Sequence, residues 1–272
     1  MHIPKQMESQ HTLRRALVTG GAAGIGYAVA KALLDSGAWV AIADVEKASL
    51  LQATTSLASE HLLPIEMDVT SQTSVRAGVG ETAQKFGGLD TLINCAGVID
   101  FSPLEQITES TWDRVIDIDL KGVFLCCQAA APFLCKSGVG RIVTMSSDAG
   151  KKGYPLISSY CAAKYGVIGF SKAIAGELAP HGVTVNCICP IGVASTRMGQ
   201  KVLQWLEERT GRSREELMAE RERGTPLGRM ATMDDIVHAV MFFLSEKAGF
   251  LTGAALNVDG GLLSTGVIAG SN

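Results

Sequence analysis

Residues 15–26 read R-A-L-V-T-G-G-A-A-G-I-G, and this stretch decides the fold. Arg15–Thr19 is a short β run that passes into a helix predicted over Ile25–Ser36 through glycines 20, 24 and 26. A backbone can turn tightly at Gly20, approach a pyrophosphate closely at Gly24 and pack a helix on a sheet at Gly26. The helix start, with Ile25, offers free N–H groups to phosphates. A glycine turn that merely joins strand to helix would read the same in isolation. What separates the two readings is Asp44, which ends the next strand, Ala38–Ala43, where a carboxylate can accept bonds from ribose hydroxyls. Its charge would repel a 2′-phosphate, and Ala22 and Ala23 bring no compensating cation, so the pattern favours NAD over NADP.

Outward from this turn, strand-like and helix-like segments alternate nearly to the end. After a helical stretch to about Ala58, Leu63–Met67 reads as a strand ending at Asp68, and a polar helix follows over about Ser71–Phe86. Further strands are expected at Thr91–Cys95, Arg141–Met145, Thr184–Cys189 and Ala255–Val258, with helices at about Ser110–Leu134, Ser158–Leu178, Lys201–Arg223 and Met233–Leu244. Apolar strands separated by helices predict one α/β domain, a Rossmann-type doubly wound parallel sheet of about seven strands covered on both faces. Residues 1–12 are expected to be a flexible arm ahead of a catalytic domain over 13–272, and about 198–224 a helical substrate lid. Val202, Leu203, Leu206, Leu217 and Met218 give that segment an apolar face, and Trp205 lies either over a substrate or as an anchor. An ordinary amphipathic helix pair docked on the core fits equally well.

Composition narrows the function. Lys+Arg number 24 against 27 Asp+Glu in 272 residues, so there is no field to attract nucleic acid or an acidic membrane. Residues 1–12 carry no apolar leader, and the apolar run Gly122–Leu134 is interrupted by Gln128 and Pro132 and is short for a bilayer. Seven scattered cysteines fit a reducing cytoplasm. Cys187 and Cys189 alternate on one strand face without a neighbouring His or Cys, so core thiols are expected and no metal. His61, His181 and His238 stand isolated, as loop or helix-surface residues. A small-molecule substrate is the expected partner.

Residues 158–169 read S-S-Y-C-A-A-K-Y-G-V-I-G, placing Tyr160 and Lys164 one helical turn apart on one face. An ammonium beside a phenol is expected to lower its pKa from ~10 towards working pH. Such a phenolate is a general base for an alcohol proton, and the phenol is the acid in reverse. Ser147 follows a strand end, where its hydroxyl could hold the substrate oxygen.

With these residues in hand, the chain from about Arg14 to Gly261 resembles the short-chain dehydrogenase/reductase family. Six blocks carry the likeness: TGGAAGIG (19–26), MDV (67–69), NCAG (94–97), the set Ser147, Tyr160 and Lys164, CPIGVAST (189–196) and NVDGG (257–261). The resemblance implies that Asp68 and Val69 flank an adenine and that Asn94, Ala96 and Gly97 support the cofactor-binding sheet edge. It implies that Lys164 also holds the nicotinamide ribose, and that Pro190, Val193 and Ser195 lie at the nicotinamide, the last two on its carboxamide. It also implies a homotetramer built on the long helices after strands four and five. Three positions depart from the family. Asp119 stands where the family has an Asn that helps hold a relay water, Ile191 replaces a glycine near the nicotinamide, and Cys95 replaces an Asn.

The expected function is an NAD(H)-dependent oxidoreductase interconverting a secondary alcohol (a polyol, sugar or small hydroxy compound) and its ketone, with Ser147, Tyr160, Lys164 and Asp119 as its catalytic set. One alternative is a 3-oxoacyl thioester reductase, which would normally prefer NADPH. Another is a nucleotide-sensing binding protein that has lost the chemistry.

Overall fold

The computed structural model describes residues 14–263; the arm expected over 1–12 and the last residues lie outside them. Its strands are β1 (Arg15–Thr19), β2 (Trp39–Asp44), β3 (Leu62–Glu66), β4 (Thr91–Asn94), β5 (Arg141–Met145), β6 (Thr184–Pro190) and β7 (Ala255–Val258). They form one seven-stranded sheet in the order β3-β2-β1-β4-β5-β6-β7, and each neighbouring pair is parallel. The expected doubly wound sheet is therefore present.

Side-chain alternation explains why both faces are covered. Leu17, Ala41, Ala43, Leu92 and Ile142 point into one core with Val75 and Val79 of α3 (Gln72–Phe86) and with Val167 further along the chain. Ala16, Val18, Val40, Ile42 and Ile93 point into the other, with Val29 and Leu33 of α1 (Gly24–Asp35) and Leu50 of α2 (Lys47–Leu57). A strand buried on both sides needs apolar residues at successive positions, as Ala16–Val18, Val40–Ala43 and Leu92–Ile93 have.

Two expected helices are divided. The long helix becomes α4 (Glu109–Ile116), a π turn over Asp117–Lys121 and α5 (Gly122–Ser137). A π turn widens the ladder locally, and this one carries Asp119. By length and composition the continuous stretch Glu109–Ser137 could cross a membrane, yet 44% of its apolar window is buried inside this fold. After α6 (Ser158–Leu178), the charged segment is two helices, α7 (Arg197–Thr210) and α8 (Arg214–Gly224), separated at Gly211, whose φ is +67°. Gly211 ends α7 in the left-handed conformation, and a capping box between Ser213 and Glu216 starts α8. Helix α9 (Met233–Leu244) completes the second face.

Candidate active site

The turn after β1 has the shape of a phosphate cradle. Gly20 has φ +61°, and a Cβ on it would lie 2.8 Å from the Ala96 backbone. A Cβ on Gly26 would lie 2.3 Å from the Gly20 carbonyl oxygen, so α1 is seated on its own turn. Gly24, with φ +55°, faces open space bounded by Thr196 at 3.8 Å. Ala23 caps α1 without a side-chain hydrogen bond, and its first turn holds no acidic residue. Unclaimed N–H groups opposite open space fit a dinucleotide pyrophosphate.

Asp44 ends β2 with its carboxylate held in the turn: Oδ1 accepts from the Glu46 N–H at 3.1 Å and Oδ2 from the Ala22 N–H at 3.4 Å. The cations nearby have carboxylates of their own, Lys47 on Glu66 and Arg197 on Glu46, each at 3.1 Å. Asp68 accepts from the Thr70 N–H and hydroxyl, and Val69 is buried against Gly122. Asn94 donates to Thr144 Oγ1 at 3.1 Å, while Thr19 Oγ1 accepts from the Cys95 and Ala96 N–H groups. Burial pushes the Cys95 thiol up to about 12, so it is inert packing. Pro190 and Val193 are buried beyond the same sheet edge and Ser195 is exposed. Ile191 is buried too, and lines a surface hollow with Pro226, Leu227 and Asp259.

The four candidate catalytic side chains meet at the carboxyl ends of β4 and β5. Lys164 Nζ lies 3.0 Å from Asp119 Oδ2, donates to the Met145 carbonyl at 3.1 Å and stands 5.3 Å from the Tyr160 ring centre. Asp119 Oδ1 accepts from the Val98 N–H at 2.8 Å. Gly97 has no room for a side chain, because a Cβ would lie 2.9 Å from Asp119 Oδ2 and 3.4 Å from Lys164 Nζ. Ser147 donates to Asp148 Oδ1 at 2.8 Å, and Asp148 Oδ2 accepts from the Tyr154 hydroxyl at 2.7 Å.

The expected lowering of the Tyr160 pKa is corrected here. Burial raises it, since a phenolate with 7% exposure loses its hydration. Lys164 pulls it back down, but Asp119 partly cancels that pull, and the net direction is up. Burial alone would lower the Lys164 pKa, yet Asp119 and Tyr160 together outweigh it and the ammonium is held above its ordinary value. Burial likewise raises Asp119, against the pull of Lys164. The sequence showed the partners but not how little water reaches them.

Tyr160 also belongs to a third, smaller apolar cluster with Ile99, Val115, Phe101, Met198 and Val202. Met198 Sδ is 4.0 Å from the phenolic oxygen, so α7 covers the site. Lys201 donates to the Ile99 carbonyl at 3.1 Å, and Trp205 stacks on Phe101 with centres 4.7 Å apart and planes 14° apart. Trp205 therefore anchors the helix by stacking on the loop after β4. Met198, Asp148 and Tyr154 were not singled out from the sequence, although Asp148 directly follows Ser147. Among the described residues no cluster of metal-ligating side chains occurs, and Cys187 and Cys189 are buried in the core.

Comparison with known proteins gives concordant results. A family described as enoyl-(acyl carrier protein) reductase matches residues 20–263. The chain is 36% identical over 247 residues to 2-(S)-hydroxypropyl-CoM dehydrogenase 3 of Xanthobacter autotrophicus, covering 90% of this chain and 94% of that one. It is 36% identical over 249 residues to galactitol 2-dehydrogenase of Agrobacterium fabrum, covering 90% and 96%. A crystal structure of an actinorhodin polyketide ketoreductase variant with NADPH superposes with a TM-score of 0.88 at 31% identity, covering 95% of this chain and all of that one. Fold, glycine turn and relatives agree, and the chain belongs to the short-chain dehydrogenase/reductase family of oxidoreductases.

Proposed function

We propose that this protein is an NAD(H)-dependent dehydrogenase that interconverts a small secondary alcohol and its ketone, with Tyr160 as the proton-transfer group. The observation that carries this reading is the convergence of Tyr160, Lys164, Ser147 and Asp119 beside the glycine turn. Bound NAD would supply the hydride acceptor for the carbinol carbon. The chain supplies the rest. The N–H groups opening α1 would hold the pyrophosphate, and Asp44 the adenosine ribose. Asp68, Val69, Asn94, Ala96 and Gly97 would shape the adenine and central parts of the groove, and Pro190, Val193 and Ser195 the nicotinamide end. Ser147, released from Asp148, would donate to the substrate oxygen. Tyr160, whose phenolate the Lys164 ammonium favours against the effect of burial, would take the hydroxyl proton, and it would return the proton when a ketone is reduced. Lys164 would also hold the nicotinamide ribose. Helices α7 and α8 would act as the lid over the substrate, excluding water.

Support for NAD comes from Asp44, whose charge opposes a 2′-phosphate while Lys47 and Arg197 are paired elsewhere. The names of the dehydrogenase relatives support a hydroxy compound of polyol or similar size. A homotetramer in a reducing cytoplasm completes the proposal. A panel of polyols, sugars and hydroxy compounds, followed by NADH absorbance with NAD and NADP in parallel, tests it; no turnover with either cofactor would overturn it. The likeness to a polyketide ketoreductase favours a second reading, reduction of a 3-oxoacyl thioester. Acetoacetyl-CoA with NADPH as the better pair would establish that reading instead.

A further inference from the structure

Helix α8 is strongly charged, and most of its basic neighbours are engaged. Arg212 is paired with Glu220, Arg214 with Glu207 at 2.9 Å, and Arg209 lies over Trp205. Arg221 differs. It is half-buried and turned inward, with Nη1 3.5 Å from the point where a Cβ on Gly192 would stand, so it lies against the loop that follows β6. The charged and titratable groups in its field are Asp148, Tyr154 and Glu220. Among the described residues none of them forms an ion pair with it within 4.0 Å, and its guanidinium makes no hydrogen bond.

The carboxylate opposite is already satisfied. Asp148 accepts from the Ser147 hydroxyl, the Ala149 N–H and the Tyr154 hydroxyl, and Glu220 is taken by Arg212. A half-buried guanidinium whose donors are taken up by no protein group is open to a ligand that brings acceptors. Burial accordingly lowers the Arg221 pKa from its ordinary value. Its place matters as much as its charge: Asp148 adjoins Ser147, and Gly192 follows the Pro190 end of β6. Arg221 thus stands at the rim of the candidate substrate site, beside Asp148 and the loop after β6, and the apolar wall of that site is formed by Ile99, Met198 and Val202 around Tyr160.

Resting on the alcohol-and-ketone reading above, we propose that Arg221 is an anion-recognition subsite and that the substrate is a hydroxy or oxo compound bearing a carboxylate, sulfonate or phosphate. The planar guanidinium would grip that group with paired, charge-assisted hydrogen bonds while the apolar wall takes the carbon chain.

The test compares 3-hydroxybutanoate with its neutral isostere 3-hydroxybutanamide, and adds 2-hydroxypropane-1-sulfonate and 2-hydroxypropyl phosphate to separate the anion types. The expected result is a kcat/KM for the favoured anion ~10–100-fold above the neutral amide, the scale of a hydrogen bond to a charged group. Arg221→Gln should collapse that ratio about tenfold or more, and Arg221→Lys should retain part of it. A parent enzyme that prefers the amide or a neutral polyol overturns the subsite while leaving the dehydrogenase reading intact. So does an unchanged ratio in Arg221→Gln, or, if that variant does not fold, in Arg221→Met. If no alcohol is oxidised, the dehydrogenase reading fails, and the subsite is judged by thermal protection with unreactive propane-1-sulfonate. Protection of the parent exceeding that of Arg221→Gln upholds it, and equal or absent protection overturns it.

Discussion

Asp119 Oδ2 stands 3.0 Å from Lys164 Nζ in a site where the carboxylate is wholly buried and the lysine nearly so. The pair is a positioning device: Asp119 ties the π turn to α6 and fixes the ammonium that faces Tyr160. Its charge opposes the phenolate and raises Tyr160, and Asn at 119 would remove that opposition. The acidic limb of kcat/KM for alcohol oxidation should therefore move to lower pH in Asp119→Asn, with little change in NAD affinity. Superimposable pH profiles would take Asp119 out of the charge argument. Asp119→Ala should be far worse for the fold, losing ~3–5 kcal/mol because Lys164 is left buried and unpaired. Urea unfolding checks that figure.

Tyr160→Phe keeps the ring in its apolar cluster and removes only the hydroxyl. Turnover should fall by ~10²–10⁴ while NADH binding persists. Near-parental kcat on the best substrate would refute the assignment.

Asp44→Ala should narrow the proposed preference for NAD over NADP, chiefly by improving NADP. Equal efficiency with both cofactors in the parent would show that the carboxylate does not discriminate.

The glycine turn separates stability from affinity. Gly26→Ala forces a methyl to within 2.3 Å of a backbone oxygen, and should lower the melting temperature outright. Gly24→Ala meets no such obstruction and pays only for its left-handed φ, ~1–2 kcal/mol. Its larger effect should appear as weaker NADH binding, read by fluorescence titration.

Helix α9 provides a pH test away from the site. Thr232 and Asp235 form a capping box, and Thr232→Ala should cost ~0.5–2 kcal/mol. Arg229, then the Thr232 backbone and hydroxyl, hold the Asp235 carboxyl well below the usual carboxylate range. A depressed folded pKa stabilises the protein above the unfolded value of ~3.9, and that contribution is lost as pH falls through the folded value. The stability difference between parent and Asp235→Asn should thus be constant near neutrality and shrink in acid. A difference that grows on acidification would contradict the sign.

What was legible in the sequence was local. The run from Arg15 to Gly26, Asp44 at a strand end and the one-turn spacing of Tyr160 and Lys164 are short-range patterns with a fixed period, and all appear in the fold as read. The π turn at Asp117–Lys121 was hidden because one extra residue scarcely disturbs a helical apolar pattern. The break between α7 and α8 could have been found from Gly211 followed by Ser213 and Glu216, a stop and a start signal in succession. Met198 over Tyr160, Arg221 against Gly192 and the burial that raises the phenol depend on loops meeting across the sheet edge. No spacing encodes those.

The order of synthesis makes the nucleotide cradle a late product. Strand β1 leaves the ribosome first, yet its partner on one side is β4, and Arg15 bonds Asp90 across a separation of 75 residues. Until β4 emerges, Thr19 lacks the Cys95 and Ala96 N–H groups that it holds, and nothing stands against Gly20. The length of the loop adds little to the cost of closing it, since each doubling adds only ~0.6 kcal/mol, so the delay comes from chain order more than from the distance spanned. A nascent chain that ends before Ala96 carries the whole glycine motif but lacks the wall that gives it shape.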